Sequence, residues 1–155
     1  MLFKYWILLV SFSELIISFK KIKIVDKGIE DDFGTIPPYK QGLNITLKCQ
    51  TSEDMDKCKW YFKFKDYCIF EWSYYHNTST KNCLNYLKDR IEFVGNDRKC
   101  FIRLINISHN DQGKWICEVQ SFLNSSFNFE ASNDTGTVSL KVDPPKREGN
   151  HTAEI

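Results

Sequence analysis

Six cysteines, three histidines and 20 carboxylates are the residues of this 155-residue chain whose types could define an activity. A cysteine serves as nucleophile, metal ligand or disulfide half, and its spacing separates these uses. Cys49, Cys58, Cys68, Cys83, Cys100 and Cys117 include no C-x-x-C, and His76, His109 and His151 are scattered at spacings unsuited to a zinc site. A nucleophilic mechanism needs a base held beside a Ser or Cys. His109 falls in a turn, His76 in a loop and His151 in the tail. The acids are dispersed, with no pair placed to share a proton, and Glu53-Asp54-Met55-Asp56 reads as a solvated loop. No glycine-rich phosphate loop occurs. The expectation is therefore no catalytic residue, no metal, no cofactor and no small-molecule substrate. What is left to the cysteines is oxidation, for which six thiols allow fifteen pairings.

Oxidation requires an exporting compartment, and the N-terminus supplies a route to one. Met1–Phe19 reads MLFKYWILLVSFSELIISF, with one early cation, Lys4, before an apolar run and then small or polar residues from Ser11. This is the layout of a secretory signal. Ser11 and Ser13 before Glu14, or Ile16 and Ser18 before Phe19, would fit the cleavage rule. We read cleavage after Ser18, because the earlier site leaves a very short signal. An uncleaved N-terminus would instead tether the chain to a membrane, although Glu14 interrupts a stretch barely long enough to span one. The asparagines agree with export. With 11 Asn and 20 Ser or Thr, chance gives about 1.4 N-x-S/T acceptors. The chain has six, at Asn44, Asn77, Asn106, Asn124, Asn133 and Asn150, which points to a secreted, extracellular glycoprotein.

Composition narrows the class. Lys and Arg number 21 against 20 Asp and Glu, so the net charge of +1 removes the usual reason to expect a nucleic-acid partner. Lys20, Lys21 and Lys23 read as a solvated strand edge, too sparse for a polyanion site. The chain has room for one domain. Its 12 Phe, 7 Tyr and 4 Trp call for a bulky aromatic core or an aromatic face.

The elements that must position these residues are short strands. Lys20–Asp26, Leu43–Cys49 and Cys58–Phe64 alternate polar and apolar residues, and Arg90–Val94, Cys100–Asn106, Gly113–Gln120 and Thr135–Val142 continue the series. No segment holds a helical period. Many short alternating strands between turn residues predict an all-β antiparallel sandwich or barrel.

Cys49 is followed by Trp60 eleven residues on, and Cys117 closes the motif Asp111-Gln-Gly113-Lys-Trp115-Ile-Cys117. This constellation resembles the immunoglobulin superfamily, with Cys on strand B, Trp on strand C and D-x-G-x-Y-x-C entering strand F. The resemblance covers residues 20–142, flanked by a signal at 1–18 and a polar stalk or tail at 143–155. It implies an immunoglobulin-like, variable-like (V/I set) β-sandwich in which Cys49–Cys117 joins the sheets against Trp60. Gly113 suits the tight corner, and Arg90, 21 residues before Asp111, stands where such domains form an ion pair. Trp115 departs from the pattern, replacing the corner tyrosine and its phenol hydrogen bond. Cys58 and Cys100 share inward faces with Trp60 and with Ile102 and Leu104, so a second inter-sheet bond, Cys58–Cys100, is expected. The chain resembles invertebrate secreted or cell-surface immunoglobulin domains with extra cysteine pairs. Cys68 and Cys83 then remain to close an insert.

Within that frame Asn44 and Asn106 point outward on the ABED sheet, and their sugars would cover it. The opposite GFCC′ sheet carries the aromatic run Tyr67-Cys-Ile-Phe70-Glu-Trp72-Ser-Tyr74-Tyr75. Two readings stay open: Phe70, Trp72 and Tyr74 extend the core, or they form a recognition surface with Tyr75. Ser121–Asp134 reads as a long F–G loop bearing Phe122, either a contact or a shielded spacer. The functional expectation is a non-enzymatic binding protein recognising an extracellular or cell-surface protein, a second copy of itself included, in immune recognition, as a decoy or in cell signalling. The alternatives are the ectodomain of a membrane-anchored adhesion protein or receptor, and a structural or inhibitory secreted domain.

Overall fold

The structure, a computed structural model, describes residues 21–63, 68–75, 85–124 and 129–145. The expected signal, the Cys68–Cys83 bond, the sequons at Asn77 and Asn150 and the side chain of Asn124 lie outside the described residues. Among the described residues, eight strands form two antiparallel sheets packed as a sandwich. They are β1 (Ile24–Asp31), β2 (Ile45–Thr51), β3 (Lys57–Phe62), β4 (Cys68–Ser73), β5 (Ile91–Phe93), β6 (Ile102–Leu104), β7 (Gly113–Asn124) and β8 (Phe129–Leu140). One sheet has the order β1-β2-β6-β5 and the other β4-β3-β7-β8, the ABED and C′CFG orders of a variable-type sandwich. Tyr39 adds a parallel bridge to Val142 just past β8, its N–H bonding the Lys141 carbonyl at 2.9 Å.

Period-two patterning builds the core. In β2, Ile45, Leu47, Cys49 and Thr51 point inward and the residues between them point out. Cys49–Cys117 and Cys58–Cys100 are both formed, with Cα separations of 6.7 and 5.8 Å. Trp60 stands opposite Cys117 in the β3–β7 ladder and donates its indole N–H to the Cys100 carbonyl at 3.2 Å. It therefore touches the backbone of one bonded pair while lying beside the other. Gly136 faces the same spot from β8. A Cβ there would come within 2.9 Å of Cys117 Sγ and 3.3 Å of Cys49 Sγ, so only hydrogen fits. Gly136→Ala should lower stability by about 1–3 kcal/mol in denaturant unfolding. An unchanged midpoint would mean that the bond can shift aside.

The corner before β7 solves the tyrosine problem with other atoms. Trp115 is fully buried and donates its indole N–H to the Asp111 carbonyl at 3.0 Å. The indole thus closes the corner onto its own chain four residues back. Gly113, at φ +145°, takes a conformation that side chains rarely adopt. Arg90 grips Asp111 with both arms of its fork, Nη2 to Oδ1 at 2.8 Å and Nη1 to Oδ2 at 3.0 Å. Nη1 also reaches the Asn106 carbonyl at 2.8 Å.

Four expectations need correction. The first strand does not stop at Asp26: β1 runs through Gly28 to Asp31, with a register shift between Ile24 and Asp26. Pairing with β2 carries it past the glycine, where local pattern alone predicts a linker. The F–G segment is not a long loop. β7 and β8 stay paired out to Asn124↔Phe129, four rungs beyond Gln120, which stands opposite Lys57 at the start of β3. The Glu53–Asp56 run is not simply solvated, because Met55 is buried and plugs the end of the core. Finally, Asn44 and Asn106 lie at the end of the ABED sheet, not over its face. Asn106 sits in a turn at φ +53°, and its N–H donates to Asn44 Oδ1 at 3.0 Å.

Candidate functional site

The aromatic run on β4 divides where the strand ends. Phe70 and Trp72 are 3% and 6% exposed. Both stack on Phe93 of the opposite sheet, at centroid distances of 5.7 and 5.0 Å. They belong to the core, and their expected place on a contact surface is corrected accordingly. Alternation showed that they share a face, but only Phe93 across the sandwich shows that this face is the inner one. Tyr74 and Tyr75 follow in the turn after β4 and are 63% and 69% exposed, with rings edge to face at 5.7 Å. Phe122 is 41% exposed on the β7 extension.

The outer face of the C′CFG sheet is polar. Glu71 bridges Lys57 and Lys59 at 3.4 and 3.2 Å. Tyr61 lies beside Glu118, with its hydroxyl 3.5 Å from Oε2. Burial first, and the neighbouring Glu118 charge second, push the Tyr61 phenol up to about 12. Thr135, Thr137 and Ser139 of β8 complete the face. Paired charges and hydroxyls of this kind suit a solvated sheet, with the apolar contact area confined to its end.

That end is a knot centred on Asp56. Its N–H donates to the Gln120 carbonyl at 2.8 Å and its carbonyl accepts the Tyr74 N–H at 2.9 Å. Its carboxylate accepts the Phe122 N–H at 2.6 Å. One residue before β3 thereby fixes the turn after β4 and the start of the hairpin extension. A further tie joins the same loop to the β5–β6 turn, through Met55 N–H to the Asp97 carbonyl at 2.6 Å. Arg98 of that turn pairs with Asp54, whose hydrogen bond and charge raise the guanidinium pKa. The result is a pole where Tyr74, Tyr75 and Phe122 stand on a backbone held in place by hydrogen bonds. Asn44 and Asn106 occupy the opposite pole, at the start of β2 and just past the end of β6.

A second exposed apolar pair, Phe33 and Ile36, lies at that opposite pole. Asp31 holds the loop by accepting the Thr35 hydroxyl and the N–H groups of Phe33 and Thr35 at 3.2 and 2.8 Å. The Thr35 hydroxyl, with these amides, keeps the Asp31 carboxyl below its ordinary pKa. Sequence reasoning missed this pair, since two isolated apolar residues among turn formers carry no periodic signal. Among the described residues no group of three or more His, Cys, Asp and Glu is placed to hold a metal. No described helix is long and apolar enough to cross a membrane.

No family model and no curated protein matches the chain in sequence. Its fold does match: 303 solved chains are similar, so the likeness is to a widely used architecture. Murine CRIg superposes with a TM-score of 0.56 at 10% identity, covering 77% of this chain and 99% of that one. A chain from a structure of T-cell specificity and activation by the bacterial superantigen toxic shock syndrome toxin-1 gives 0.51 at 14% identity, covering 76% and 99%. With identity so low, what is shared is the fold, and this chain is an all-β sandwich similar to an immunoglobulin variable domain.

Proposed function

We propose that this chain is an exported, glycosylated recognition domain that binds an extracellular or cell-surface protein through its Tyr74–Tyr75 pole. The observation that carries this reading is the pairing of high exposure with fixed backbone. Tyr74 and Tyr75 are more than three-fifths exposed, yet the chain beneath them is bonded to Asp56. Exposed tyrosines on a rigid support give contact area at low entropic cost. The loops at one end of a variable-type sandwich are a natural place for such contacts. The two disulfides suit an oxidising compartment and so support export.

The test is a binding screen of the secreted domain against extracellular proteins of its source, with the chain itself included. Once a partner is found, Tyr74→Ala and Tyr75→Ala should each weaken binding by about 2 kcal/mol, roughly 30-fold in Kd. Phe70→Leu, which alters only the core, should leave affinity within about twofold of wild type while lowering stability. Unchanged affinity in both tyrosine variants would remove the pole as the contact.

A further inference from the structure

We propose that Asn133 carries an N-linked glycan whose first N-acetylglucosamine packs its apolar ring face on Phe122, closing the outer C′CFG face at its hairpin end. The inference rests on the export reading above. Asn133 and Phe122 are on neighbouring strands, with Gln120↔Asn133 and Phe122↔Ala131 as successive outward-facing rungs. The two are therefore diagonal neighbours on one face, a separation of about 7–8 Å that a long substituent spans. Asn133, Thr135 and Ala131 are all exposed, and Ala131, directly opposite Phe122, is too small to cover the ring. Phe122 is accordingly a half-exposed ring at the margin of a polar face.

The structure also separates this sequon from two others. Asn106 takes a positive φ that asparagine tolerates, Asn44 Oδ1 accepts the Asn106 N–H, and Ser108 bonds Asp111, so these residues have local structural work. Asn133 has none: asparagine is disfavoured in strands, and no hydrogen bond engages its side chain among the described residues. Attachment forms a bond from Asn133 Nδ2 to sugar C1. It breaks the C1–O bond of a lipid-linked pyrophosphoryl oligosaccharide, and the amide loses one proton. The exporting cell supplies that donor. With Phe122 under sugar, the Tyr74–Tyr75 pair is the open part of the pole.

The full chain is produced in secreting insect cells and its glycopeptides are mapped. Melting temperatures are then compared for the intact glycoprotein, for protein trimmed enzymatically to one N-acetylglucosamine per site, and for Asn133→Gln. The same set is measured in a Phe122→Ala background. Asn133 should be occupied, and trimming should move the melting temperature by no more than ~1 °C. Asn133→Gln should lower it by ~3 °C, and that drop should vanish with Phe122→Ala. Thr135→Ala, which deletes the sequon but keeps Asn133, should reproduce the drop and covers the case of a variant that fails to fold. Glycans elsewhere with Asn133 bare would overturn this inference alone. No glycan on any asparagine would overturn it together with the export reading. An equal drop in both backgrounds would overturn the ring contact.

Discussion

Replacing Arg90 with Leu is expected to lower the unfolding free energy by about 3 kcal/mol, toward the lower end of what removing one partner of a buried ion pair costs. Asp111 is 1% exposed, whereas the Arg90 side chain is 27% exposed, which is why the lower end applies. The substitution leaves the Asp111 carboxylate buried without its guanidinium partner, with the Ser108 N–H and hydroxyl as remaining donors at 2.8 and 3.2 Å. It also strips the Asn106 carbonyl of its 2.8 Å donor. Arg90→Lys keeps the charge but not the fork that meets both carboxylate oxygens, so it should recover no more than about half of the loss. Urea unfolding with the disulfides intact measures both. Equal stability for wild type and Arg90→Leu would mean that Asp111 is satisfied without the guanidinium.

Removing the second inter-sheet bond should have a comparable effect. The sequence separation of Cys58 and Cys100 is 42. The chain-entropy model then assigns their bond about 4 kcal/mol. Cys58→Ala with Cys100→Ala frees the unfolded chain while leaving most of the native packing. Trp60 still reaches the Cys100 carbonyl, and the residue 100 N–H still bonds the Cys49 carbonyl at 2.9 Å. The double variant should therefore keep the native circular dichroism spectrum and unfold at much lower denaturant. A loss under about 1 kcal/mol would show that Cys49–Cys117, with a separation of 68, already imposes nearly all of the constraint.

The parts of this structure legible in sequence are those whose signal survives in one dimension. Cys49, Trp60, Gly113 and Cys117 were legible together, as a constellation that resembles the immunoglobulin pattern, and Trp60 and Cys117 meet in the β3–β7 ladder. Arg90 and Asp111 were legible for the same reason. The residues that had to be seen in space are those decided by a neighbour distant in sequence. Phe70 and Trp72 needed Phe93 to show which way they face. The β8 extension was hidden because Ser132-Asn-Asp134 reads as turn chemistry, and only pairing with β7 makes it a strand. Asp56 looked like one acid in a solvated run, since backbone bonds to Gln120 and Tyr74 leave no mark on composition. The candidate contact pole was therefore half legible: its aromatics were noticed, but all four of them were offered for the surface, and only Tyr74 and Tyr75 are exposed.

The bridge from Tyr39 to Val142 has a mechanical consequence. The described chain enters at the Tyr74 end, where Ile22 and Ile24 donate to Ser132 and Asp134 at 3.1 and 2.7 Å, and leaves past Val142 at the other. Tension between the two ends therefore runs along the strands. The Tyr39 bonds to Lys141 and Asp143, both 2.9 Å, would be loaded sideways together with the β1–β2 ladder, in shear. Bonds in shear share a force and fail together, whereas bonds peeled one by one fail in turn. The sandwich is thus built to resist being stretched between its two poles.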